Sequence, residues 1–443
     1  MKKKYFGTDG IRGTVNKFPI VPSFFANLAV AIKKSQNSIK LILIGKDTRE
    51  SCEMIENAII SGFKEVGVNC ELIGVVSTPV LSFYTKKLEY DLGIMISASH
   101  NPYHDNGIKI FKENGEKLDD DEEIKIEKNI EIKEIISNPK IKKIRFRDKN
   151  LEEYENHLIS KFSKLNDLNI KIVLDCANGS LHHFAPKILN KLGLCIIKYG
   201  CDPNGKNINK NCGALFPEKL SRETLINKAD IGISFDGDAD RVVICDEKGK
   251  IVDGDLLLAI IAIYLKEKKI LKNNRIVSTK MSNLGFRDFV LKNNLNLSLS
   301  NVGDRYVIEL MKKNKAILGG EQSGHIIFSE NGYCGDGILT ALFILQIISE
   351  KKCSLSELSK NFFQKIPQKL VNLRLKKNPL LILNDKSINN LVNNTLKNNK
   401  CDLLLRKSGT ENLLRIMIQA NSKKLIQNLL NKFIREIKKI DAN

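Results

Sequence analysis

The chain has no C-x-x-C pair, no G-x-x-x-x-G-K-[ST] loop and no G-x-S-x-G elbow, and its longest apolar run, Leu256 to Leu265, is short. Each absence removes a class of function. With no C-x-x-C pair among them, the ten cysteines, mostly in or beside apolar runs, read as reduced core residues of a cytosolic protein. Without the phosphate loop, nucleotide hydrolysis is disfavoured, and without the elbow so is acyl transfer. A bilayer-crossing helix needs about 20 apolar residues. Lys2 to Lys4 lead into Tyr5 without an apolar leader core, so a soluble, cytoplasmic protein with no membrane partner is expected. The net charge is +20, but the basic runs Lys312 to Lys315 and Lys397 to Lys400 lack interleaved aromatics or any nucleic-acid module. The excess base therefore implies a field that attracts anionic metabolites rather than a specific nucleic-acid partner.

A chain of 443 residues exceeds one core of ordinary size, so two to four domains are expected. Strand-like apolar runs alternate with helix-like periodicity three times, which predicts repeated α/β units. Leu41 to Ile44 precede a helical stripe of Met54, Ile55, Ala58, Ile59 and Phe63; Ile172 to Leu174 and Ile231 to Phe235 follow, then Ile276 and Val277. Boundaries are expected in the charged stretch Asn138 to Glu153, near Asp253 and near Pro367. This divides the chain into 1–148, 154–252, 253–366 and a smaller 367–443 that ends in a core-facing helix through Leu425, Leu429, Phe433 and Ile437. Asp119 to Glu123 and Lys142-Lys143 read as solvated faces.

What is present is chemistry after strands. Asp236, Asp238 and Asp240 alternate directly behind the apolar run Ile231 to Phe235. Residues two apart share a face of an extended chain, so the three carboxylates converge, and an oxygen-only set favours Mg2+. A second loop, Ser97-Ala98-Ser99-His100-Asn101-Pro102, follows Leu92 to Ile96, with Lys109 nearby. Serine is a weak nucleophile unless a base, a metal or a phosphoryl group assists it. His100 is one candidate base, and a phosphorylated Ser99 held against the tri-aspartate ion accounts for both loops. Near the C-terminus, Arg406-Lys407-Ser408-Gly409-Thr410, with Arg415 beyond, has the donors of a phosphate cradle. Gly320 to His325 sets Glu321, Gln322, Ser323 and His325 between glycines, a set suited to hydroxyl and amine recognition. Asn301 to Tyr306 reads as a polar turn opening a helix, and Arg12 lies in a glycine-rich segment, a weak phosphate signal.

Together these segments resemble the α-D-phosphohexomutase superfamily from Phe6 to the final helix, and Phe6 to Gly13 directs the resemblance to its glucosamine-phosphate branch. The resemblance implies three related α/β domains and a smaller C-terminal α+β domain around a central cleft. It implies Ser99 as phosphoryl carrier and metal contact, one Mg2+ on Asp236, Asp238 and Asp240, and a sugar loop with Glu321 and Ser323. Arg406, Ser408, Gly409, Thr410, Arg415 and Arg12 would bind substrate, and Lys109, Arg241, His100 and His325 would handle protons or charge. The implied reaction interconverts glucosamine 6-phosphate and glucosamine 1-phosphate through glucosamine 1,6-bisphosphate, which is also the activator, and feeds UDP-N-acetylglucosamine synthesis; a homodimer is compatible with it. Mutases of mannose or glucose phosphates are the nearest alternative, followed by a Mg2+-dependent phosphatase and a nucleic-acid binder. Two positions depart from the family pattern: Ala239 for a usual glycine, tolerated if its backbone needs no positive φ, and Asn412 for a usual proline, which loosens a turn.

Overall fold

The computed structural model describes residues 3–133, 152–407 and 413–442, together with the backbone of 144–146. Three mixed sheets repeat one plan. In the first, the parallel strands Asn69–Val75, Leu41–Lys46 and Leu92–Ile96 lie side by side, and Asp105–Lys112 adds antiparallel to the last. The second orders Cys195–Tyr199, Lys171–Asp175 and Ile231–Phe235 in parallel, then Val242–Asp246 antiparallel. The third orders Asn296–Ser300, Arg275–Thr279 and Leu318–Gly320, then Ile326–Phe328 antiparallel. The fourth sheet is different: Gln368–Arg374, Leu413–Ala420 and Cys401–Lys407 are all antiparallel.

The strands that lead into the chemistry are buried along their whole length, as parallel strands covered on both faces must be. Helices Gly254–Glu267 and Gly337–Lys351 are apolar nearly all round and belong to the same core, which explains the long run Leu256 to Leu265 without a membrane. No helix among the described residues is long and apolar enough to cross a membrane. The C-terminal domain has its own core, where Ile426, Leu430, Phe433 and Ile437 of the helix Lys423–Ala442 pack on Leu414, Ile416 and Ile418.

Some expectations need amendment. A short strand, Ile144–Phe146, lies within the presumed linker Asn138 to Glu153 and joins the first sheet beside Asn69–Val75; Lys142-Lys143 and the rest of that stretch up to 151 lie outside the described residues. The acidic run Asp119 to Glu123 is not wholly solvated. Asp119 caps the helix Asp120–Lys128, but Glu123 is buried between Lys3 and Arg305 at 2.6 and 2.8 Å. All ten cysteines are free, and six are buried, but Cys195 is exposed on an edge strand.

Candidate active site

Three loops meet, and all three occupy the same place in the repeated plan: the turn from the third parallel strand to the antiparallel fourth. In the first domain that turn carries Ser99, in the second Asp236 to Asp240, and in the third Glu321 to His325. Loops beyond the carboxyl ends of such strands are where α/β sheets bind ligands.

Ser99 is fully buried with its backbone at φ +53°, in the left-handed region. Its carbonyl accepts from Arg49 Nη2 at 3.0 Å and Asn209 Nδ2 at 2.8 Å, and its N–H donates to Ser97 Oγ at 2.8 Å. Ser97 in turn donates to Asp47 at 2.7 Å, and Asp47 also holds Arg49. These bonds fix a conformation that costs a non-glycine residue about 1–2 kcal/mol. Ser99 Oγ then donates to Asp236 Oδ2 at 2.7 Å, with His100 Nδ1 at 3.3 Å. The approach of the two loops requires Gly237, because a Cβ there would lie 2.6 Å from the Ser99 carbonyl oxygen.

Asp236, Asp238 and Asp240 are buried, and one carboxylate oxygen of each lies within 4.8 Å of the others. Burial, then repulsion from Asp240 and Asp238, pushes Asp236 up to about 7. Asp238 Oδ1 and Asp240 Oδ1 are buried without a hydrogen-bond partner. Orphaned acceptors in a mutually repelling, all-oxygen set fit a hard divalent cation. Ala239, between two of these aspartates, has φ +58°, so the condition for its easy tolerance is not met: the loop holds an alanine in a glycine conformation.

Cations surround the triad. Lys109 Nζ lies 2.7 Å from both Asp238 and Asp240 and 3.2 Å from Asp9. Burial opposes its charge, but the three carboxylates outweigh it and hold Lys109 protonated. Arg241 donates its backbone N–H to Asp236 at 3.1 Å, and its guanidinium Nε, 3.8 Å from Asp240 Oδ1, has no hydrogen-bond partner. His325 stands between Asp240 at 3.7 Å and Asp304 at 3.8 Å; burial lowers its pKa, and the two carboxylates more than reverse that. His100 goes the other way, held down to about 3 by burial and by Arg241 and Arg12. Of the four predicted proton carriers, His100 is thus a neutral acceptor and Lys109 and Arg241 are cations, while the carboxylates of Asp240 and Asp304 raise the His325 pKa.

Arg12 reaches the site by donating to the Ala98 carbonyl at 3.3 Å and pairing with Asp9. Asp9 was not singled out by sequence, although it pairs with Arg12, Lys109 and Lys117, and Lys117 continues to Asp304. Thr78, also unanticipated, donates to Asp238 Oδ2 at 2.5 Å. In the third loop Glu321 accepts from the Gly303 N–H at 3.0 Å, and Ser323 is exposed. Arg406 and Arg415 face each other across neighbouring strands, and each has a buried Nε with no partner. Burial and the neighbouring Arg415 lower the Arg406 pKa, and Glu321 partly offsets them. Ser408, Gly409, Thr410 and Asn412 lie outside the described residues.

Four family models cover the chain in order: phosphoglucomutase/phosphomannomutase alpha/beta/alpha domain I over 3–135, domain II over 152–249, domain III over 253–366 and the C-terminal domain over 370–436. The chain belongs to the phosphoglucomutase/phosphomannomutase family. Among curated relatives, the phosphoglucosamine mutase of Rhizobium johnstonii is 41% identical over 451 residues, covering 99% of each chain. That of Campylobacter hominis is 42% identical over 438 residues, covering 97% of each. Among solved structures, a phosphoglucomutase/phosphomannomutase family protein from Burkholderia thailandensis matches with a TM-score of 0.77 at 20% identity, covering 98% of this chain and 96% of that one. The Aspergillus fumigatus N-acetylphosphoglucosamine mutase in complex with GlcNAc-6P and magnesium matches with a TM-score of 0.66 at 18% identity, covering 99% and 96%.

Proposed function

We propose that the chain interconverts glucosamine 6-phosphate and glucosamine 1-phosphate, with Ser99 as the phosphoryl carrier. The observation that carries this reading is the seating of Ser99 Oγ on Asp236 at 2.7 Å, inside a buried carboxylate triad. The relatives named phosphoglucosamine mutase, matched over nearly their whole length, support the choice of sugar. The reaction is an isomerisation by phosphoryl transfer.

Asp236, Asp238 and Asp240 would hold one Mg2+, which when bound supplies charge neutralisation at the transferring phosphoryl group. The chain's own residues do the rest. Arg406 and Arg415 bind the phosphate that is not reacting, their unpartnered guanidinium nitrogens matching its oxygens. Glu321 and Ser323 orient the sugar. The P–O bond to Ser99 breaks as a bond forms to the C1 oxygen; His100, neutral and beside Ser99 Oγ, is placed to take the hydroxyl proton. Lys109 and Arg241, which keep their protons, offset charge on the departing serine oxygen and the phosphoryl oxygens. The bound bisphosphate turns around, its 6-phosphoryl group returns to Ser99, and glucosamine 1-phosphate leaves.

Intact mass before and after phosphatase treatment of the unfolded chain, together with a glucosamine 1-phosphate assay, tests the reading. Loss of one phosphate on Ser99 together with mutase turnover is the expected result. A kcat/KM greater for mannose or glucose phosphates would overturn the sugar assignment, and free phosphate released in step with turnover would make the enzyme a phosphatase.

A further inference from the structure

The C-terminal domain is joined to the third domain by the chain around Pro367 and by a small set of side chains, among them the Arg287–Asp402 ion pair at 2.9 Å. Two amides bind backbone, Asn283 at the last residue of the third domain and Gln419 across the boundary. Asn283 Nδ2 donates to the Ile366 carbonyl and Asn283 Oδ1 accepts from the Ile366 N–H, both at 2.9 Å. Gln419 Nε2 donates to the Ser282 carbonyl at 3.2 Å and its Oε1 accepts from the Leu284 N–H at 2.8 Å. Asn283 and Gln419 are almost wholly buried, and each satisfies a donor and an acceptor that water cannot reach. These two act as fixed pivots.

The Gln322–Gln368 contact is of another kind. Gln322 Nε2 donates to Gln368 Oε1 at 3.2 Å, and Gln368 Nε2 donates back to Gln322 Oε1 at 3.3 Å. Both side chains are half-buried, both bonds are long, and each amide can exchange its partner for water. Gln322 also has a second acceptor within its own domain, Asp255 Oδ2 at 3.2 Å. The backbone beneath Gln322 has no comparable freedom: Gly254 is packed so closely that a Cβ there would lie 2.0 Å from the Glu321 carbonyl oxygen.

The two glutamines stand at informative places. Gln322 lies between Glu321 and Ser323. Gln368 opens the strand Gln368–Arg374, whose Asn372 is paired with Arg415, which faces Arg406. A shift at Gln368 therefore acts on the strand paired with Leu413–Ala420, which carries Arg415 opposite Arg406 on Cys401–Lys407. We propose that the Gln322–Gln368 amide pair is a releasable latch that couples seating of the sugar on the third-domain loop to the position of Arg406 and Arg415. Gln322 and Gln368 act here as positioning residues. The latch rests on the proposed sugar-phosphate reading.

A double-mutant cycle tests it, using the full-length chain with Gln322→Ala, Gln368→Ala and both together. Each single variant should raise the KM for glucosamine 6-phosphate by about fivefold or more with kcat within about twofold of the parent, and the pair should be no worse than the worse single variant. Gln368→Glu, which keeps an acceptor for Gln322 Nε2 but loses the return donor, should fall between parent and Gln368→Ala. Hydrogen exchange of 368–374 supplies a readout independent of turnover. Glucosamine 6-phosphate should slow it in the parent more than inorganic phosphate does, and Gln368→Ala should erase that difference. Additive KM effects, or an exchange difference that survives in Gln368→Ala, would overturn the latch while leaving the mutase reading intact. A parent that does not turn over glucosamine 6-phosphate overturns both.

Discussion

The serine–aspartate end of the cleft and the arginine end are built on opposite principles. At the first, the loops are tied to one another: the Ser99 carbonyl takes donors from two domains and the aspartates take Thr78, Lys109 and Ser99 itself, leaving Asp238 Oδ1 and Asp240 Oδ1 without a hydrogen-bond partner. At the second, two guanidinium groups face each other with no carboxylate among the described residues bonded to either, on a sheet joined to its neighbour by a few amides and the Arg287–Asp402 ion pair. Like charges side by side are unfavourable until an anion arrives. The difference follows the reaction proposed. The bond made and broken is always at Ser99, so geometry there can be set in advance; the phosphate held at the far end is once the 6- and once the 1-phosphate, so that end must adapt.

Substitutions at the two ends should therefore fail in different ways. Ser99→Ala removes the carrier without disturbing the fold, and exchange of label between protein and sugar phosphate should vanish, with mutase activity below about 1% of the parent. Asp238→Asn keeps volume but removes a charge from the triad; kcat and Mg2+ affinity should fall together, kcat by about a hundredfold, measured across a Mg2+ titration. If full activity persisted in chelator, the preset end would be structural only. Arg406→Ala should instead raise KM by about tenfold or more for both sugar phosphates, since a charge-assisted contact is worth about 1.5–3 kcal/mol, and should let bisphosphate escape. An effect in one direction only would remove the basis for an adapting end.

The hinge gives a weaker, pH-dependent signal. Burial, then Asp253, pushes Asp255 up to about 7. Its folded-state value exceeds the unfolded one of about 3.9, so the native chain binds more protons between those values and loses stability as pH rises through them. Asp255→Asn should remove that part of the slope. The variant's Tm relative to the parent should be higher at pH 8 than at pH 5, by roughly 2–4 °C for each kcal/mol involved. Smallest of all is Ala239→Gly. Relief of a left-handed alanine, about 1–2 kcal/mol, is set against a lost buried methyl of about 0.8 kcal/mol and glycine's entropy of about 0.5–1 kcal/mol, so denaturant midpoints should nearly coincide.

The tri-aspartate loop, the serine loop and the arginines were legible because each writes its chemistry into a few adjacent letters behind an apolar strand. The equivalence of the three inner turns was not. Ser97 to Pro102, Asp236 to Arg241 and Gly320 to His325 share no residue pattern, and only strand order relates them. Asp9 lay in a segment read for Arg12; its role depends on Lys109 and Lys117, a hundred or more positions away, and Lys117 depends on Asp304 further still. Glu123 looked like one more solvated acid because its partners, Lys3 and Arg305, come from opposite sides of the sequence. Ala239 showed the reverse limit: its identity was plain, but its backbone angle was not.

The depth of Ser99 bears on how the carrier is loaded in a cell. A protein kinase must draw its target, in extended form, into its own cleft, and a serine with no exposed surface, pinned in a left-handed turn by Arg49 and Asn209, cannot be offered that way. The same holds for protein phosphatases. If Ser99 is the carrier proposed above, the folded chain shields it from macromolecular signalling enzymes and leaves its loading to small esters or to modification before folding.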